Sequence, residues 1–130
     1  MYDVAVYLSS LPRIADHNRK VEVLRAFAQG ARATGARVIE QTNRDIVPAR
    51  LAVIIGWVGS KIRGPHIQVR KDLIEYQKSH GHQLMSIDSS CFKFADANSQ
   101  WLRYSLDGVY YNSSNYANTN SDHARYWPLI

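Results

Sequence analysis

Leu51-Ala52-Val53-Ile54-Ile55-Gly56-Trp57 runs into Val58-Gly59-Ser60-Lys61-Ile62-Arg63-Gly64 and then into Pro65-His66-Ile67. The first seven residues are apolar and rich in β-branched side chains, the pattern of a strand buried on both faces. The basic loop that follows contains no acidic residue. Proline suits the first helical turn, where its missing N–H would have no partner in any case. The stretch therefore reads strand, loop, helix. Two glycines and two cations fall where an open α/β sheet places its ligand.

Upstream, Val4-Ala5-Val6-Tyr7-Leu8 forms a compact apolar strand closed by Ser9-Ser10 and Pro12. Asp16 and Asn18 are candidate N-caps for a helix from Arg19 to Thr34, with Leu24, Phe27, Ala28 and Ala31 on its core face and Gly35 as its stop. Arg37 to Gln41 reads as a short second strand. Downstream, the helix opened by Pro65 runs to about His80, and Gly81 ends it. Val69, Leu73 and Tyr76 face the core, while Arg70, Lys71 and Lys78 point outward. Gln83 to Asp88 is a fourth strand, and Trp101 to Ser105 is a candidate fifth. This alternation predicts one three-layer, Rossmann-like α/β domain over residues 1–130, with a mostly parallel sheet of about four to five strands. Its βα core spans 1–90, and 91–130 reads as an irregular, Tyr/Asn-rich segment.

The length suits one domain with a real core. No apolar segment approaches the roughly 20 residues of a membrane-spanning helix, so no membrane partner is expected. Met1-Tyr2-Asp3-Val4 lacks a basic leader, and Cys91 is the only cysteine, which together point to a reducing cytoplasm. The net charge of +5 is uneven: residues 1–78 carry 13 Lys/Arg against 7 Asp/Glu, the remainder 3 against 4. An anionic partner fits this asymmetry, and so does a merely solvated basic surface.

Several residues are placed to carry chemistry. Gly56 and Gly59 after a strand suit approach of an anion to backbone N–H groups, although neither a dinucleotide fingerprint nor a Walker sequence is present. His66 lies beside Lys61 and Arg63 at a helix start, where it fits a phosphate contact, a general base or a simple cap. Asp88 ends a strand, as a ribose-binding or catalytic carboxylate would, or as a helix N-cap would. Arg103 and Tyr104 suit phosphate contact and stacking, and equally plain packing. With Arg70, these make the candidate binding set Lys61, Arg63, His66, Arg70, Asp88, Arg103 and Tyr104. His17, His80, His82 and His123 have no cysteine at ligand spacing, so neither a metal nor another cofactor is expected. No acid–base pair emerges, and no residue is assigned as catalytic.

Three pieces carry a family resemblance: Gly56-Trp57-Val58 with Gly64-Pro65-His66-Ile67-Gln68-Val69-Arg70; Ile87-Asp88-Ser89-Ser90-Cys91-Phe92; and Leu102-Arg103-Tyr104-Ser105-Leu106-Asp107-Gly108-Val109-Tyr110. They resemble the amino-terminal part of phage-encoded, glycosyltransferase-like proteins of unknown function. The resemblance implies a Rossmann-like half of a two-domain transferase, acting in the cytoplasm of an infected or lysogenic host. Since the chain stops at Ile130, half of the donor cleft is expected to be missing. The reading that follows is a non-catalytic binding protein, such as an inhibitor of a host defence (CRISPR-type) complex. The alternatives are a glycosyltransferase-like enzyme, completed by oligomerisation and acting on a nucleotide sugar or on modified DNA, and a basic nucleic-acid-binding domain.

Overall fold

A computed structural model describes residues 1–15, 18–56, 63–89 and 102–106 of the chain. Five strands form one sheet: β1 (Tyr2–Tyr7), β2 (Val38–Gln41), β3 (Ala49–Ile55), β4 (Gln83–Ser89) and β5 (Leu102–Leu106). Two helices, α1 (Arg19–Ala33) and α2 (Pro65–Ser79), complete the described architecture. The spatial order is β2-β1-β3-β4-β5. The first four strands pair in parallel, and β5 runs antiparallel to β4 at the edge. The expected α/β class and mostly parallel sheet are therefore what the structure has.

Both helices form where the sequence places them. Asn18 is the N-cap of α1, and its side chain accepts from the Lys20 N–H at 2.9 Å. Each helix ends two residues before the glycine expected to stop it. The strands shift more. β1 starts at Tyr2 and stops at Tyr7, because Leu8–Ser10 turn into a 3-10 segment. β3 starts at Ala49 and ends before Gly56, not at Trp57. Of the segment expected to be irregular, residues 102–106 are strand β5, and the Tyr/Asn-rich remainder lies outside the described residues.

The helices cover opposite faces. On one, Val21, Leu24 and Ala28 of α1 pack with Val4, Val6, Val53 and Ile87. On the other, Val69 and Leu73 of α2 pack with Ala5, Tyr7, Ala52, Ile54 and Leu84. Crossovers of one hand that run in opposite directions along a sheet put their helices on opposite faces, which is the observed arrangement. Between β2 and β3 the chain must pass across β1 without a helix. Residues 42–48 make that crossing on the α2 side, with Ile46 packed beside Tyr7. The Tyr7 hydroxyl holds the segment twice, donating to the Val47 carbonyl at 3.1 Å and accepting from the Val47 N–H at 2.9 Å. Burial pushes the Tyr7 phenol above its ordinary pKa, so it stays a neutral donor. No helix among the described residues is long and apolar enough to cross a membrane.

Candidate functional site

The order β2-β1-β3 makes β1 the point from which the chain departs in both directions, and crevices for ligands open at the carboxyl ends of strands at such a switch point. A cavity of about 290 Å³ lies there. Its described walls come from three elements. Ser9, Leu11, Pro12 and Ile14 follow β1, Thr42 and Arg44 follow β2, and Pro65 and His66 open α2.

Each wall is fixed by local chemistry. The Ser10 hydroxyl donates to the Tyr7 carbonyl at 2.7 Å and accepts from the Ile55 N–H at 3.2 Å, tying the end of β1 to the end of β3. After β2, the Gln41 side chain donates to the Asp45 carbonyl at 2.8 Å and the Asn43 side chain accepts from the Asp45 N–H at 2.9 Å. These side chain-to-backbone bonds form the tight turn that carries Arg44. At α2 the N-cap is Gly64, which supplies no side-chain cap. A Cβ there would lie 2.9 Å from Cε1 of His66 and 3.0 Å from its Nδ1, so glycine leaves room for the imidazole beside the uncapped helix end.

One turn along α2 from His66 is Arg70. It was expected to point outward, and the structure corrects this: Arg70 is only 6% exposed. Its Nε donates to the Ser10 carbonyl at 2.9 Å. The guanidinium lies against the backbone of Gly56, where an added Cβ would come within 2.6 to 2.8 Å of three of its atoms. Gly56 has φ +98°, a conformation costly for any residue with a Cβ. Its N–H donates to Ile87 at 2.8 Å and its carbonyl accepts from the Ser86 hydroxyl at 3.0 Å. One buried cation thus clamps the ends of β1 and β3, which β4 braces. The helical period puts residue 70 on the same face as Ile67 and Leu73, and tertiary partners decide that a charge is tolerated there.

The electrostatics are positive. His66 has its pKa lowered below the ordinary histidine value by partial burial first, and then by the charges of Arg70 and Lys20. No carboxylate appears among the described walls. The Ser9 hydroxyl oxygen is buried and has no hydrogen-bond partner among the described residues, although Ser9 belongs to the cavity wall. Buried polar groups of this kind are uncommon without a water or ligand to satisfy them.

The candidate residues divide. His66 lines the cavity, Arg70 lies one helical turn away where its charge acts on His66, and Arg63 lies exposed just before α2. Asp88 and Arg103 fall opposite one another in the antiparallel β4–β5 register, with Tyr104 opposite Ile87 and 54% exposed. Those three belong to the far edge of the sheet. Asp88 and Ser89 are strand residues at the end of β4. Lys61 lies outside the described residues. Sequence reading missed Ser9, Thr42 and Arg44. The rule that ligands sit at carboxyl ends, applied to β1 and β2 as well as β3, would have found them. Among the described residues no cluster of three potential metal ligands occurs; His80 stacks on Tyr76 with ring centroids 3.9 Å apart.

No protein-family model, curated protein or solved structure matches the chain, so the family suggested by the sequence rests on the sequence alone.

Proposed function

We propose that this domain is a binding module, and that its switch-point cavity takes the phosphate of a small anionic ligand. The observation that carries the reading is a convergence on one cavity. Arg44, the imidazole of His66 at a helix start whose N-cap glycine supplies no side-chain cap, and Ser9, whose hydroxyl is buried just behind the surface, all belong to its walls. A helix N-terminus favours negative charge through its unsatisfied N–H groups and its dipole. Guanidinium and imidazolium add charge-assisted hydrogen bonds, each worth about 1.5–3 kcal/mol. With no carboxylate among the described walls, the cavity offers anion recognition and no evident acid–base pair. Concavity supports a small ligand over the macromolecular partner, host complex or nucleic acid, that the sequence suggests.

Titration of the ¹⁵N-labelled protein with inorganic phosphate tests this. Saturable shifts are expected at Ser9, Thr42, Arg44 and His66, with affinity reduced about tenfold by Arg44→Ala. No saturable binding at millimolar phosphate, or binding indifferent to both Arg44→Ala and His66→Ala, would overturn it.

A further inference from the structure

We infer that the group attached to this phosphate is a nucleoside, so that the cavity takes a nucleoside monophosphate; the inference rests on the phosphate reading above. The lining changes character from one element to the next. After β2 it offers Thr42 and Arg44, whereas after β1 it offers Leu11, Pro12 and Ile14. Inorganic phosphate, fully hydrated and apolar nowhere, gains nothing from that second wall. A flat base does, because the sides of a proline ring and an isoleucine present the surface on which a base sheds water.

Ile14 makes the case sharper. Among the described residues the exposed large hydrophobics are Met1, Ile14, Tyr104 and Leu106. Of these, Ile14, 42% exposed, belongs to the described wall of this cavity. A single exposed isoleucine is ordinary. One set in the wall of a cavity that also holds Arg44 and His66 gives that cavity an amphipathic lining. Thr42 adds a hydroxyl that both donates and accepts, the chemistry a ribose hydroxyl requires. The volume, about 290 Å³, stands at the lower end of the range for small-molecule sites, which suits one nucleotide and not a strand of them.

Calorimetry on the full chain with inorganic phosphate, ribose 5-phosphate and the monophosphates AMP, GMP, CMP and UMP separates the two readings. At least one nucleoside monophosphate is expected to bind about tenfold more tightly than ribose 5-phosphate, the gain from removing on the order of 60 Å² of apolar surface, base and wall together, from water. Ile14→Ser, an exposed position that leaves the core intact, is expected to erase this gain while ribose 5-phosphate binds as before. Nucleoside monophosphates no tighter than ribose 5-phosphate, with phosphate still bound, would overturn the nucleoside inference alone. A gain unaffected by Ile14→Ser would also overturn it, since the base would then lie elsewhere. Failure of every phosphate to bind would remove both readings.

Discussion

On the face covered by α1, the helix buries Val21, Leu24 and Ala28, all apolar. On the face covered by α2, two of the five buried helical residues are the polar Arg70 and Gln77. The second face also does without a helix between β2 and β3, relying on Tyr7 to hold residues 42–48 in place. Gln77 carries out a similar task at the amino end of the sheet, where its Nε2 donates to the Ala49 and Gln83 carbonyls at 3.2 and 2.7 Å. Such groups are costly to bury and contribute position more than stability. The α1 face is a hydrophobic support, whereas the α2 face is the one on which strand ends are held in register around a cavity.

If the two faces divide their tasks in this way, Leu24→Ala should produce the largest loss of stability, about 2–5 kcal/mol, with phosphate affinity unchanged in the protein that remains folded. Urea denaturation and titration on the same sample check both halves. A parallel fall in affinity would show that the faces do not act separately. Arg70→Leu should cost about 1–3 kcal/mol, because the Ser10 carbonyl loses a buried donor, and should also weaken phosphate binding. A stable Arg70→Leu protein with unaltered binding would break the comparison, since the clamp would then be dispensable. Gly56→Ala should cost about 1–2 kcal/mol through its positive φ, with further loss if the Arg70 guanidinium cannot move aside.

Smaller effects sharpen the picture. Arg44→Ala, at an exposed turn, should leave stability within about 0.5 kcal/mol while reducing phosphate affinity. The smallest effect is that of pH. In the free protein His66 titrates below the ordinary histidine value, so its ring is neutral at pH 7. A bound anion favours the imidazolium, so affinity should increase as pH falls below neutrality, and binding should take up a proton. Sulfate, whose charge is constant across this range, is the suitable probe, and His66→Gln should flatten the profile. Without an anion the sign for stability is the opposite. As pH falls the unfolded chain accepts the proton first, so His66 contributes a slight loss of stability from the ordinary histidine pKa downward, to the lower folded value.

The sequence by itself determined the order of elements, the class and the inward stripe of α1, because periodicity, caps and helix-stopping glycines act over a few residues. It also marked His66 and Arg70. It did not place Arg70 inside, since whether a helical arginine is solvated or buried depends on Ser10, 60 positions away, and on the missing side chain of Gly56. Nor did it show that Arg44 and Ser9 share a cavity with His66. Only the strand order β2-β1-β3 does that, by bringing three carboxyl-end segments from separate parts of the chain to one edge. Local interactions select the elements, and long-range pairing selects their neighbours, which is where a binding site is made.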